Sequence, residues 1–167
     1  MKNLTYTQNN FTISTDKQLL DIDAIHTFLT KESYWWSEDT PKELVAIAIE
    51  NSILCYGVYE QVSSNGEAKL VGFARVISDL VRFSWLCDVF ILPDYRGRGL
   101  SKWLINVITG HPQLSGTRFN LGTNDAHKLY KQYGFSSLQE PERRMERPID
   151  WKKIYKGHSL NPRIPKE

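Results

Sequence analysis

Apolar positions along this chain change their spacing several times, and each change marks an element. Residues 10–14 alternate and predict a short first strand. Ile22, Ile25 and Leu29 then repeat at helical spacing behind Asp21 and Asp23, acids that favour a helix N-terminus. Thr40-Pro41-Lys42-Glu43 reads as a capping box with proline at the first helical position. It predicts a second helix that buries Leu44, Ile47 and Ala48. Residues 53–60 and 69–77 are strand-like, and Asn65-Gly66 between them predicts a hairpin. A turn over residues 78–82 leads into a third run that begins near Phe83, which makes an antiparallel meander.

The clearest change of period lies between Cys87 and Trp103. Residues 87–92 form an apolar run suited to a buried strand, and Pro93-Asp94 ends it. Leu100, Trp103, Leu104, Val107 and Ile108 then mark one face of a helix, closed by Gly110 and Pro112. Residues 117–122 predict a strand parallel to the central one, because a helix crosses between them. Thr123-Asn124-Asp125 starts a further helix with Ala126, Leu129, Tyr130 and Tyr133 on one face, ending at Gly134. Residues 135–138 and 142–146 are expected to form a last strand pair. The picture is one domain over residues 1–150, with a peripheral tail at 151–167.

Composition narrows the class. Of 167 residues, 41% are hydrophobic and 12% aromatic, which argues for a packed globule. Twenty-one Lys and Arg against 19 Asp and Glu give +2, too balanced to call for a nucleic-acid partner. Cys55 and Cys87 sit in apolar runs without metal spacing, so no metal is expected. No run is long and apolar enough for a membrane span, and the start lacks a signal-peptide core. A cytoplasmic protein without a membrane partner is the expectation.

The candidate chemistry lies between the central strand and its helix, in Arg96-Gly97-Arg98-Gly99-Leu100-Ser101. Glycines at such a junction let backbone approach a ligand, and first-turn N–H groups, helix dipole and arginines suit a pyrophosphate. A Walker loop is excluded, since no glycine precedes Lys102. A dinucleotide fingerprint fails too, with Lys102 at its third glycine and no acid at the ribose position.

The loop resembles instead the acyl-CoA loop of the GNAT N-acetyltransferases, Arg/Gln-x-x-Gly-x-Gly/Ala. Arg96 and Gly99 match, and Ser101 stands where Gly or Ala is usual. Residues 125–135, with Ala126, Leu129-Tyr130 and Gly134-Phe135, resemble the family's second signature, Asn-x-x-Ala-x-x-Leu-Tyr-x-x-x-Gly-Phe. The asparagine position falls on Thr123, with Asn124 next to it. The resemblance implies a mixed α/β fold: a mostly antiparallel sheet with a parallel, splayed central strand pair, flanked by about four helices. It also implies acetyl-CoA in the splay, on the backbone of Val89, Phe90 and Ile91, with its pyrophosphate on Arg96, Gly97, Arg98, Gly99, Leu100 and Ser101. Thr123 or Asn124 would complete the cofactor contacts, and a homodimer is left open.

Tyr130 is the expected proton donor to the leaving thiolate on this resemblance. Asp88, the ionisable residue of an apolar strand, is either the base or a carboxylate paired with an arginine such as Arg75 or Arg82. Cys87 offers an acyl-cysteine route, disfavoured because neighbours on a regular strand point to opposite faces. His127 falls away from the apolar stripe of its helix and is expected at the surface. Tyr34, Trp35 and Trp36 are rigid aromatics in a polar loop, expected either to line an acceptor pocket or to cap the core. The expected activity is acetyl transfer to a primary amine of a small molecule. A non-catalytic acyl-CoA sensor and an enzyme acting on a protein lysine or N-terminus are the alternatives.

Overall fold

The computed structural model describes residues 2–33, 36, 38–61 and 68–150. They form one six-stranded sheet in chain order, β1 (Thr5–Gln8), β2 (Phe11–Ser14), β3 (Leu54–Gln61), β4 (Ala68–Ser78), β5 (Phe83–Ile91) and β6 (Arg118–Asn120). Every neighbouring pair is antiparallel except β5 and β6. Helices α1 (Ile22–Lys31) and α2 (Lys42–Glu50) precede β3, α3 (Leu100–Thr109) crosses from β5 to β6, and α4 (His127–Lys131) follows β6. Among the described residues, no helix is long and apolar enough to cross a membrane.

Alternation along the strands gives the sheet two apolar faces. Cys55, Tyr59, Phe73 and Phe90 pack with Ile25, Phe28 and Val45 of α1 and α2. Tyr56, Val58, Val76 and Leu86 pack with Leu104, Ile105 and Ile108 of α3. The mixed sheet with its splayed parallel pair agrees with the expected architecture.

Several local expectations are corrected. The strand expected at residues 10–14 is the second arm of a hairpin, with Gln8 opposite Phe11 and Asn9 at φ 51°. Asparagine tolerates that left-handed turn. The capping box does not form. Pro41 is the N-cap without a side-chain bond, and the Thr40 hydroxyl is buried without capping the helix. Helix α2 buries Val45 and Ile49 rather than Leu44, Ile47 and Ala48, because residues 44–49 are apolar all round and periodicity selects no face. The Asn65-Gly66 turn and the 151–167 tail lie outside the described residues. Residues 135–138 and 142–146 form no strands, and a short 3₁₀ turn, Pro141–Arg143, stands there instead. That segment is charged and exposed, with little apolar surface to bury.

Two elements are shorter than the sequence pattern predicts. Strand β6 covers three residues where six were expected, and pairs only with Phe83, Ser84 and Trp85. Helix α4 covers five residues. The Thr123 hydroxyl accepts from the Ala126 N–H at 3.0 Å just ahead of it, and Gly134 turns the chain at φ 83° just beyond.

Gly72 sits opposite Ile91, and a Cβ there would lie 2.9 Å from the Phe90 carbonyl oxygen. Gly72→Ala is therefore expected to destabilise the protein by about 1–3 kcal/mol through overpacking, measured by urea unfolding. An unchanged midpoint would show that β5 moves freely at this point.

Candidate active site

Beyond Trp85, β6 no longer follows β5, so among the described residues one edge of β5 from Leu86 to Ile91 has no strand beside it. Asn120, buried at the last β6 position, donates its side-chain amide to the Arg118 carbonyl at 3.0 Å and reaches that of Ser84 at 3.5 Å. The chain then turns away toward α4. The opening is a cavity of about 540 Å³. One wall carries Phe28, Leu29, Glu32 and Ser33 around the end of α1, the opposite wall carries Gly122, Thr123, Ala126 and Tyr130, and Arg96 and Ser101 lie beyond the end of β5.

Strand β5 is irregular inside this slot. Arg75 faces Cys87 and Phe73 faces Phe90, so the single residue Ala74 stands opposite both Asp88 and Val89. That two-for-one count is a β-bulge, and Asp88 takes it up at φ 52°. Its carboxylate pairs with the Arg75 guanidinium, and its Oδ1 accepts from the Trp36 indole N–H at 2.9 Å. Arg75 also reaches the Ser52 hydroxyl at 3.3 Å. Both charged side chains are nearly buried, 6% exposed for Asp88 and 12% for Arg75. Burial opposes the arginine's charge, yet the Asp88 carboxylate outweighs it and holds the Arg75 pKa above its ordinary value.

The pairing of Asp88 with Arg75, one of the two readings that the sequence left open, is present. The exclusion of Cys87 by strand alternation does not stand, because the bulge breaks the alternation and both residues line the slot. What argues against the thiol is chemistry instead: burial pushes the Cys87 pKa up to about 11 despite the opposing charge of Arg75.

The other expected residues divide. Val89, Phe90, Ile91, Arg96, Ser101, Thr123 and Tyr130 line the slot. Gly97 and Gly99 lie at φ 75° and 80°, conformations that favour glycine, with nothing within 4 Å of where a side chain would begin. Leu100 starts α3 with its side chain in the core. The Arg98 guanidinium lies 5.0 Å over the Tyr95 ring and 3.8 Å from Glu60, so its charge is turned from the slot. Asn124 is exposed and not among the residues lining the slot. His127 is exposed at the start of α4. Tyr34 and Trp35 lie outside the described residues, whereas Trp36 is bonded to Asp88. Glu32, Ser33 and Trp85 were missed by sequence reasoning. No motif marks them, since they meet only through the folding of the sheet.

A family model described as an acetyltransferase (GNAT) domain matches residues 51–137, just over half of the chain. This chain belongs to the GNAT acetyltransferase family. A Gibberella zeae protein that carries the provisional name of acetyltransferase is 33% identical over 151 residues, covering 81% of this chain and 84% of that one. A GNAT-family protein of Xanthomonas campestris pv. campestris, provisionally described as an acetyltransferase, has a solved structure that superposes with a TM-score of 0.75. It is 44% identical, covering 86% of this chain and 96% of its own. Glucosamine-6-phosphate N-acetyltransferase from Arabidopsis thaliana shares the fold with a TM-score of 0.56 at 16% identity, covering 85% of this chain and all of its own.

Within this GNAT domain, the Cys87 thiol should stay protonated at neutral pH. From an ordinary value of 9.0 to about 11 is a difference of two pH units, so its thiolate fraction near pH 8 is about 100-fold below that of an ordinary cysteine. Alkylation of Cys87, followed by mass spectrometry, is expected to be correspondingly slow at pH 8 and to accelerate as pH rises toward 11. Rapid modification at pH 7 would contradict the burial argument and reopen the acyl-cysteine route.

Proposed function

We propose that this chain is a cytoplasmic N-acetyltransferase that moves an acetyl group from acetyl-CoA to the primary amine of a small molecule, by direct attack in a ternary complex. The observation that carries this reading is the bare edge of β5 past Trp85, running into a glycine-rich loop at the start of α3. An extended pantetheine arm can hydrogen-bond to the backbone of Val89, Phe90 and Ile91 as a strand would. Arg96, the open backbone at Gly97 and Gly99, and the first-turn N–H groups of Leu100 and Ser101 suit a pyrophosphate in charge and shape. The residues present fit the co-substrate.

Acetyl-CoA, when bound, supplies a thioester carbonyl open to attack by a neutral amine. A lysine-like amine has a pKa of about 10.4, so its proton must leave before attack. The Asp88 carboxylate is already engaged by the Arg75 guanidinium and the Trp36 indole N–H. We therefore assign Asp88 to the proton path through its fixed charge, which orients the incoming ammonium and the water that takes its proton. The backbone N–H groups near the bulge are placed to steady developing charge on the carbonyl oxygen. Tyr130, buried where α4 meets the slot, donates its hydroxyl proton to the departing thiolate. A phenol of pKa about 10 can do so. The Thr123 oxygen accepts from the Ala126 N–H, and a hydroxyl with its donor and second lone pair can still contact the cofactor.

Thiol release from acetyl-CoA across an amine panel tests the reading. Tyr130→Phe keeps the ring and its edge-on contact with Phe135, and is expected to lower turnover by about 10–1000-fold. Its thermal stability should barely change, because one hydrogen bond contributes only about 0.5–1.5 kcal/mol net. Turnover equal to wild type, with chemistry rate-limiting, would remove Tyr130 from the reaction. Binding of acetyl-CoA with no thiol release on any amine would favour a sensor.

A further inference from the structure

Helices α1 and α2 do not cover the whole of their face of the sheet. At the end where β5 begins, Phe83, Trp85 and Ile77 remain 44%, 37% and 43% exposed. Ile77 is paired with Trp85 across the β4–β5 ladder, and Phe83 and Trp85 stack with ring centroids 6.5 Å apart and planes 24° from parallel. Ser84 and Leu86, which alternate with them, are buried on the other face. Three large apolar side chains thus form a platform left open among the described residues.

This platform is continuous with the slot. Trp85 belongs to both, and Cys87 and the bulge at Asp88 follow on the same face. Trp85 and Cys87 are two positions apart along the strand, about 7 Å. That length suits a ring connected to an amine by a short alkyl chain. Charge points the same way. The Arg75 cation is taken up by Asp88, whereas Glu32 and Asp125 also line the slot, so carboxylates face an entering ammonium. An aromatic ring on Phe83 and Trp85 would be held by stacking and by burial of apolar surface.

We infer that the acceptor is a primary amine bearing an aromatic ring, whose ring docks on Phe83 and Trp85 while its amine enters the slot toward Asp88. The inference rests on the transferase reading for its chemistry, but ring recognition can be measured without turnover. Ligand-observed NMR with the full chain, using phenethylamine and n-butylamine as probes, is expected to give a Kd for phenethylamine about tenfold lower. Phe83→Ser and Trp85→Ala should each reduce that preference to about twofold or less, and Phe83→Ser should leave n-butylamine binding unaffected. Equal affinities in the wild type, or a preference surviving both substitutions, would overturn the platform. So would a dimer in sedimentation that Phe83→Ser dissolves while the two amines bind alike, which would make the patch an interface between copies. Phenethylamine binding with no thiol release on any amine of the panel would refute the transferase reading and keep the platform, whereas turnover without ring preference would do the reverse.

Discussion

The early end of the β5–β6 pairing is the constraint on which the site depends. Three residues of β6 follow Phe83, Ser84 and Trp85, and the strand then leaves. Backbone donors and acceptors on the exposed edge of β5 must still find partners, because an unpaired polar group shut away from water is costly. A slot that stays open to solvent meets that need with water, and an extended ligand can take the water's place. The same departure carries the chain to Thr123 and Tyr130, so one topological event opens the slot and supplies its second wall.

The buried Arg75–Asp88 pair acts on the opposite side of β5. A non-glycine residue at positive φ is unfavourable, and Asp88 is held there by its guanidinium partner and the Trp36 indole. Ser52, between α2 and β3, holds Arg75 in turn. Removing either charge alone would leave the other buried without its counterpart, which costs more than the pair itself contributes. The loop after α1 is thereby tied to the bulge of the strand proposed to present the acyl group. In the proposed reading, acceptor side and cofactor side share this piece of backbone.

Much of this was legible in the chain. The switch from strand to helix around Arg96–Ser101 located the crossover, and the two glycines located the backbone that the loop leaves open. Asp88 stood out because it breaks an apolar strand, whereas Tyr130, which joins its helix's apolar stripe, was singled out by the family resemblance, and both line the slot. What could not be read is long-range register. Nothing in Ala74 announces that two residues of β5 face it, so the bulge and the turning of Asp88 toward Arg75 came only with the sheet. Arg98 looked equivalent to Arg96 by composition, but Tyr95 and Glu60, distant in sequence from each other, draw its side chain away. The apolar run 44–49 likewise hid which side of α2 is buried.

The most direct test of the account is an acetyl-CoA titration of ¹⁵N-labelled protein followed through its backbone amide resonances. Pantetheine pairing with the open edge of β5 predicts that the amides around Val89, Phe90 and Ile91 shift most, together with those of Gly97 to Ser101 at the start of α3. Shifts confined to another surface, such as the recess between β6 and residues 135–144, with the β5 amides unmoved, would contradict it.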